Sequence, residues 1–157
     1  MIRNATMGDV KAIHSLLNHF AGKGLLLAKS YSALYEQLRD FKVYADENDQ
    51  PLAVCALHII WENLAEIRSL AVKEEVQGKG IGRELVHECL KEAASFEIDK
   101  LFTLTYQAGF FRKLGFHDVD KGDLPHKIWS DCINCPKFPD CDEEALECSV
   151  EQILMTS

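Results

Sequence analysis

The sequence lacks the features that mark membrane, secreted and nucleic-acid-binding proteins. No apolar run approaches the roughly 20 consecutive residues that a membrane-spanning helix needs. The N-terminal stretch MIRNATMGDV has no apolar segment of the secretory type, so we expect a cytoplasmic protein. Basic residues are outnumbered, with 17 Lys and Arg against 25 Asp and Glu and a net charge of −8. Nucleic acids and anionic membranes both need a broad basic surface, so neither is an expected partner.

Internal repeats, low-complexity segments and obvious linkers are also missing. The 157 residues are 47% hydrophobic and 27% charged, as is ordinary for a globular protein. That length is enough to bury a full hydrophobic core. We therefore expect a single domain over residues 1–157.

Hydrophobic periodicity predicts alternating strands and helices. A first strand in MIRNAT precedes a helix that Gly22 and Gly24 terminate, and Thr6 with Asp9 resembles a capping box. A second helix is predicted from Ser30, and its inner face comprises Tyr31, Leu34, Leu38 and Phe41. The remaining strands are predicted in KVYAD, LAVCALHII, LAEIRSLAV, KLFTLTY, GFHDVD and LECSVEQIL, with a long helix after LAEIRSLAV and a short one in AGFFRKL. This order predicts an α/β protein of the layered α+β type, with helices on both sides of a β-rich middle.

Three glycines open the long helix, at Gly78, Gly80 and Gly82 in EEVQGKGIGRELV. Gly80 and Gly82 fall in the first turn, where each costs about 1 kcal/mol relative to Ala. A helix N-terminus presents unpaired N–H groups and a positive dipole end, which together bind anions. The glycines therefore favour a diphosphate cradle over a plain turn.

Two common phosphate motifs do not fit this stretch, because GKGIGRELV has neither the GxxxxGK[ST] nor the GxGxxG spacing. It does match Gln-x-x-Gly-x-Gly, at Gln77, Gly80 and Gly82, which resembles the acyl-CoA diphosphate loop of the GCN5-related N-acetyltransferase (GNAT) superfamily. AEIRSLAV resembles that superfamily's central strand, and FFRKLGF its later helix-turn-strand signature. The resemblance spans about residues 1–120. It implies a mixed, mostly antiparallel sheet flanked by helices, and an acetyl-CoA-dependent N-acetyltransferase.

The resemblance also assigns the residues that contact acetyl-CoA. The main-chain N–H of Leu70 would polarise the thioester carbonyl, and Ala71 and Val72 would pair with the pantetheine arm as an added strand. The implied cosubstrate-binding set is Leu70, Ala71, Val72, Gln77, Gly78, Lys79, Gly80, Ile81, Gly82 and Arg83.

Glu66 is the candidate general base, because several superfamily members carry a catalytic glutamate at its position. Strand alternation predicts Glu66 and Arg68 on one face and Ile67 and Ser69 on the other. If that face lines the substrate cleft, the Glu66 carboxylate can accept a proton there, and the Arg68 guanidinium beside it can bind a substrate carboxylate. The alternative is a surface ion pair of little energetic weight.

The general acid departs from the superfamily pattern. Many members place a tyrosine in FYxxxGF, whereas this chain has Phe111 at that position, which has no proton to donate. Thr105 or Tyr106, at the end of the preceding strand, could protonate the leaving thiolate directly or through water. Simple packing is the alternative for Tyr106.

Two further stretches, KGLLLAKSYSALYEQLRDFKVY and DLPHKIWSDCINCPKFPDCDE, resemble stand-alone N-acetylglutamate synthase-type acetyltransferases of arginine biosynthesis. The implied reaction is acetylation of the α-amine of L-glutamate, with Lys29, Arg68 and Lys127 as the cations that bind its carboxylates. The alternatives are another small amine or amino acid, a protein lysine or N-terminus, or a catalytically silent CoA-binding module. A homodimer is possible.

Four of the six cysteines crowd the C-terminal end, in a Cys-rich segment at about residues 124–148. Cys132, Cys135, Cys141 and Cys148 have the ligand count for zinc, and the first pair has ligand spacing. The second pair lacks that spacing, and a cytoplasmic protein keeps its thiols reduced. We expect free thiols in this segment, with no metal assigned.

Overall fold

A seven-stranded sheet organises the chain in this computed structural model, which describes residues 1–124 and 143–156. The strands are β1 Ile2–Asn4, β2 Phe41–Ala45, β3 Pro51–Trp61, β4 Leu64–Val72, β5 Lys100–Thr105, β6 His117–Val119 and β7 Glu144–Ser149. Their order across the sheet is β1-β2-β3-β4-β5-β7-β6. Every neighbouring pair is antiparallel except β4 and β5, which run parallel. The predicted mixed, mostly antiparallel sheet is confirmed.

Helices cover both faces of this sheet. They are α1 Val10–Gly22, α2 Tyr31–Glu36, α3 Ile81–Ser95, α4 Ala108–Leu114 and α5 Val150–Thr156. Within the described ranges, no helix is long and apolar enough to cross a membrane.

The two faces carry separate hydrophobic cores. On one face α1 buries Ile13 and Leu17 against Val43, Val54 and Ala56 of the sheet. The other core is larger, and in it α3 packs against the inward residues of β3, β4 and β5, together with α4 and α5. Since side chains alternate along a strand, β4 contributes to both cores, with Ala65 and Ile67 in the larger one and Ala71 in the other.

The strand β4 contains a β-bulge near its C-terminal end. Val54 lies opposite Ala71 and Ala56 lies opposite Arg68, so two residues of β4, Ser69 and Leu70, face a single residue of β3. Ser69 has a left-handed backbone with φ of 57°. A bulge of this kind leaves the extra residue outside the regular ladder and bends the strand.

Two expected boundaries are wrong. The second helix ends at Glu36, and Phe41 begins β2 instead of completing the inner face of that helix. The last segment is half strand and half helix, because β7 ends at Ser149 and α5 begins at Val150. The N–H groups of Val150 and Glu151 donate to the carbonyl and carboxylate oxygens of Asp99, which anchors the start of α5.

The N-terminal capping interaction is confirmed and extended. The carboxylate of Asp9 accepts a hydrogen bond of 2.7 Å from the backbone N–H of Thr6. It also accepts two hydrogen bonds from the Arg3 guanidinium, at 2.7 and 2.9 Å. Asp9 is buried, with 5% of its surface exposed. The Arg3 hydrogen bond, aided by Thr6, holds the pKa of Asp9 below its ordinary value of 3.8.

We expect Asp9→Asn to lower the free energy of unfolding by about 1–3 kcal/mol at neutral pH, because it removes a charge-assisted, buried hydrogen-bond acceptor. A carboxyl whose pKa is depressed in the folded state stabilises the protein above its ordinary pKa and loses that contribution as the pH falls through and below it. The difference from the parent should therefore shrink as the pH falls below 3.8. Urea unfolding across this pH range measures both effects.

Asp49→Asn is the matched control, since Asp49 also contacts Arg3 but has 69% of its side chain exposed. It should change stability by less than about 1 kcal/mol. Equal losses in the two variants would contradict the role assigned to Asp9.

Candidate active site

A cavity of about 450 Å³ lies where β4 and β5 separate. The parallel ladder between these strands ends at the pair Glu66 and Phe102, so the chain beyond that pair diverges. One wall is the C-terminal half of β4, residues 67–72, and the opposite wall is the end of β5 with α4. The loop before α3 forms the floor, and the segment joining α1 to α2 closes the remaining side.

The bulge sets the geometry of the β4 wall. Neither the ladder with β3 nor the described ladder with β5 assigns a partner residue to Leu70. Leu70 lines the cavity at this point of the strand. The family resemblance singled out this residue, but regular alternation gave no sign of the bulge at which it lies.

A buried hydroxyl spans the gap between the diverging strands. Thr103 is 2% exposed, and its Oγ1 donates a hydrogen bond of 2.8 Å to the carbonyl oxygen of Ile67. That carbonyl lies just beyond the last paired residues, where the ladder no longer supplies a donor. Since an unsatisfied buried carbonyl is costly, Thr103 stabilises the open end of the strand pair.

Glu66 and Arg68 lie on the same face of β4, as predicted. Arg68 Nη1 is 3.6 Å from Glu66 Oε1, and 16% and 11% of the two side chains are exposed. Arg68 lines the cavity, whereas Glu66 is buried one step behind it. A buried carboxylate in this position can exchange a proton with the cavity through an intervening water.

The glycine loop leads directly into α3. Gly78 and Gly80 have left-handed backbones, with φ of 81° and 83°, and a Cβ added at either would meet open space. The first intrahelical bond runs from Glu84 N to Gly80 O, so the N–H groups of residues 80–83 have no acceptor within the helix. These groups, with the open space before them, have the form of an anion cradle.

Gln77 and Gly82 stabilise the packing of this loop against its neighbours. The Gln77 side chain donates to the carbonyl of Val72 at 2.9 Å, and its backbone N–H donates to Glu74 O at 3.3 Å. Gln77 therefore ties the loop to β4 instead of presenting its own N–H. A Cβ on Gly82 would lie 3.3 Å from the Phe110 ring, so this glycine permits close packing of α3 on α4.

The wall opposite β4 is aromatic. Phe110 and Phe111 both line the cavity, and their rings meet edge to face with centroids 5.1 Å apart. Thr105 also lines it, and its Oγ1 accepts a hydrogen bond of 2.9 Å from the N–H of Gln107. Tyr106 is half-buried and is not among the lining residues. Of the two candidate acids, the structure brings only Thr105 to the cavity.

The sequence reasoning missed Lys23, which lines the cavity on the α1 side. Its Nζ lies 2.8 Å from Glu74 Oε1, and His19 Nε2 lies 2.6 Å from the same oxygen. These contacts, from Lys23 first and then His19, lower the pKa of the Glu74 carboxyl. They join the end of α1 to the loop before α3 across more than 50 residues of sequence. No local motif could have indicated such a pairing.

The other predicted cations are not brought together with Arg68. Lys29 is half-buried, donates to Gln37 Oε1 at 3.2 Å, and does not line the cavity. Lys127 lies outside the described residues, as do Cys132, Cys135 and Cys141. Cys148 is buried in β7, where desolvation raises the pKa of its thiol to about 12. Within residues 1–124 and 143–156, no cluster of three His, Cys, Asp or Glu side chains has the form of a metal site.

Comparison with known proteins identifies the family of the chain that forms this cavity. A family model described as the Acetyltransferase (GNAT) family matches residues 11–116. The chain belongs to the GNAT family. The matched range begins one residue into α1 and extends past the end of α4, and so includes the bulged β4.

Relatives of this GNAT chain include proteins named for acetyl transfer. An uncharacterized N-acetyltransferase of Chlorobaculum tepidum is 42% identical over 145 residues, covering 92% of this chain and 93% of its own. An amino-acid acetyltransferase of Mycobacterium tuberculosis is 35% identical over 133 residues, covering 83% of this chain and 76% of its own. The amino-acid acetyltransferase of Neisseria meningitidis serogroup A is 32% identical over 127 residues, which are 79% of this chain but 29% of the relative.

Solved structures agree in fold. A Mycobacterium tuberculosis protein in complex with CoA and NLQ superposes with a TM-score of 0.81 at 27% identity, covering 95% of this chain and 98% of its own. N-acetylglutamate synthase from Neisseria gonorrhoeae, complexed with CoA and N-acetyl-glutamate, superposes with a TM-score of 0.87 at 24% identity, over 96% of this chain and 35% of its own. At that identity the second likeness concerns the fold alone.

This GNAT enzyme is therefore an N-acetyltransferase that uses acetyl-CoA. The cradle before α3 fits that cosubstrate, because a Cβ at Gly78 or Gly80 would occupy space that is open in this structure. The cosubstrate supplies the activated acetyl group, and the N–H groups of residues 80–83 would be the donors that hold its diphosphate.

We expect Gly80→Asp to weaken CoA binding at least tenfold relative to Gly80→Asn. Both side chains have nearly the same volume and both occupy the left-handed backbone, so the strain is matched and only the charge differs. Two like unit charges about 4 Å apart repel by about 1–4 kcal/mol near a protein surface. Isothermal titration with CoA measures the difference. Equal affinities in the two variants would show that no phosphate lies beside residue 80.

Proposed function

We propose that this enzyme transfers the acetyl group of acetyl-CoA to the α-amine of L-glutamate. The observation that carries the proposal is the Glu66 and Arg68 pair on one face of β4, at a cavity that the diphosphate cradle also borders. The names of the amino-acid acetyltransferases among its relatives support an amino-acid acceptor.

Glu66 acts as the general base in this proposal. The acceptor enters as an ammonium, which must lose a proton before its nitrogen can attack the thioester. Glu66 is buried and lies directly behind Arg68, so a water between Glu66 and the ammonium is the expected route.

The main chain of β4 provides the electrophilic assistance. In this proposal the Leu70 N–H donates to the thioester carbonyl oxygen, which is supported by the place of Leu70 at the bulge and on the cavity wall. Donors of this kind typically contribute about 10²–10³ in rate. Thr105 is the hydroxyl best placed to return a proton to the leaving thiolate, because Phe111 has none and Tyr106 does not line the cavity.

Arg68 is the candidate partner for an acceptor carboxylate. Its guanidinium borders the cavity with 16% of the side chain exposed, so a charge-assisted contact there is largely shielded from water. Lys23, also on the cavity wall, is a second cation within the described residues that can raise the local concentration of an acidic amino acid.

Replacing Glu66 tests the base. We expect Glu66→Gln to lower kcat by about 10²–10⁴, the contribution typical of a positioned general base, with the affinity for acetyl-CoA nearly unchanged. Thiol release from acetyl-CoA gives the rate, and CoA titration gives the affinity. Glu88→Gln on the outer side of α3, 40% exposed in its side chain, is the matched control and should keep the parent rate. A Glu66→Gln rate within about threefold of the parent would remove Glu66 from the mechanism.

The choice of acceptor tests the substrate. Glutamate and glutamine have nearly the same volume and differ by one negative charge. If Arg68 meets the γ-carboxylate, a contact of about 1.5–3 kcal/mol should favour glutamate by roughly ten- to two-hundred-fold in kcat/KM. Lysine, with a positive terminus, should be rejected.

The matched variants for this test are Arg68→Gln and Arg39→Gln, the second at an exposed position outside the cavity. Arg68→Gln should abolish most of the preference for glutamate while glutamine use changes little, and Arg39→Gln should leave both unchanged. Equal use of glutamate and glutamine by the parent, or a preference for lysine, would overturn the glutamate assignment and leave acetyl transfer to another amine.

A further inference from the structure

Acetylation of an amino acid releases a proton that must leave the protein. The acceptor ammonium loses two protons as its nitrogen becomes an amide. One of them is taken up by the departing thiolate to form the CoA thiol, so one proton remains for each turnover. Glu66, as the proposed base, receives that proton but is 8% exposed and has little direct access to solvent. A group next to Glu66 that can accept the proton and discharge it would complete the cycle.

His58 lies beside Glu66 in the sheet. The two residues are direct partners in the antiparallel pair of β3 and β4, so their side chains project from the same face. Directly opposed residues have Cβ atoms about 4.5–5.5 Å apart, a separation that one water or a direct contact between the two polar ends can bridge. The exposed fraction rises outward, from 11% for the Glu66 side chain to 28% for that of His58.

Asp40 fixes the imidazole from the other side. His58 Nδ1 lies 2.6 Å from Asp40 Oδ2, and the Asp40 side chain is 24% exposed. Because an ionised carboxylate only accepts hydrogen bonds, a neutral His58 carries its proton on Nδ1 and has a lone pair on Nε2. Asp40 immediately precedes β2, which flanks β3 on the side opposite to β4. Asp40 therefore contacts the imidazole from the β2 side, while β4 with Glu66 flanks β3 on the other side.

We propose that His58, oriented by Asp40, accepts the proton that Glu66 takes from the acceptor ammonium and passes it to solvent. In the step, the Glu66 O–H bond breaks as an N–H bond forms on His58 Nε2, directly or through one water. Asp40 stabilises the resulting imidazolium, which then loses its proton at the exposed side. His58 acts through Glu66, so it is a positioning residue for the base and not itself in contact with the substrate.

The charged groups around His58 fit this role. Asp40 faces it from the turn before β2, and Glu66 faces it from β4, with Arg68 beyond Glu66 on the same strand. The imidazole thus lies between two carboxyl groups, one on each neighbouring strand or turn. The alternative is a purely structural pair that pins the turn at Leu38–Asp40 to β3.

The test compares His58→Gln and His58→Ala in the full-length enzyme, with the acceptor that gives the highest parental rate among free amino acids. We expect His58→Gln, whose amide can still donate to Asp40, to lower kcat on the order of tenfold, less than loss of the base itself. The KM for acetyl-CoA should stay unchanged. Added imidazole should restore a large part of the rate of His58→Ala, because it can carry the proton that the missing ring carried.

A double-variant cycle adds a second readout. In a Glu66→Gln background, His58→Gln should cost little more, because a relay without its donor has nothing to pass on. His117→Gln, at an exposed histidine in β6, is the matched control and should retain the parent kcat and show no response to imidazole. Thermal unfolding of each variant reports the structural contribution separately.

The inference rests on the proposed role of Glu66, and the outcomes separate the two. No amine acetylation by the parent would overturn the proposed function. An active parent with full kcat in His58→Gln would overturn the relay alone. A reduced kcat without imidazole rescue, or with full additivity in the Glu66→Gln background, would also overturn the relay and leave a structural pair. Full activity in Glu66→Gln would remove both Glu66 and the relay behind it.

Discussion

The end of the hydrogen-bonded ladder between β4 and β5 is the constraint on which the site depends. Two parallel strands that stayed paired would leave no space between them for a ligand. Separation beyond Glu66 and Phe102 opens that space but strips backbone groups of their partners in a buried region. Thr103 satisfies the Ile67 carbonyl, and Leu70, three residues further along β4, lines the cavity at the bulge. The same local loss of pairing thus leaves buried backbone groups that need other partners and opens the space for a ligand.

The surrounding elements stabilise this opening from several directions. Gln77 ties the loop before α3 to the end of β4, while Glu74 accepts contacts from His19 and Lys23 at the end of α1. Gly82 lets α3 approach Phe110 closely, so the two helical walls meet without a gap. Exposed ion pairs contribute little individually, so the hydrophobic cores on the two faces supply most of the rigidity.

Much of this architecture could be predicted from the sequence, because its signals are local. Periodicity located the strands and the long helices, and Gly80 with its neighbours marked the start of α3. The errors have non-local causes. The start of α5 depends on Asp99, about 50 residues earlier, which accepts hydrogen bonds from Glu151 and Ser149. The contact between Lys23 and Glu74 likewise joins distant parts of the chain, so no sequence window contains both partners.

The bulge in β4 consists of one extra residue, which the hydrophobic cores of the fold do not need. Val54 opposite Ala71 and Ala56 opposite Arg68 leave room for one regular partner of Cys55, but β4 supplies both Ser69 and Leu70 there. A chain without Ser69 could pair regularly with β3 over this stretch, with Arg68, Leu70 and Ala71 on the faces that they occupy now. Every core residue would remain in its core, while the Leu70 amide would return to ordinary strand pairing. One residue, Ser69, is therefore the whole difference between regular pairing over this stretch of β4 and the bulge that borders the cavity.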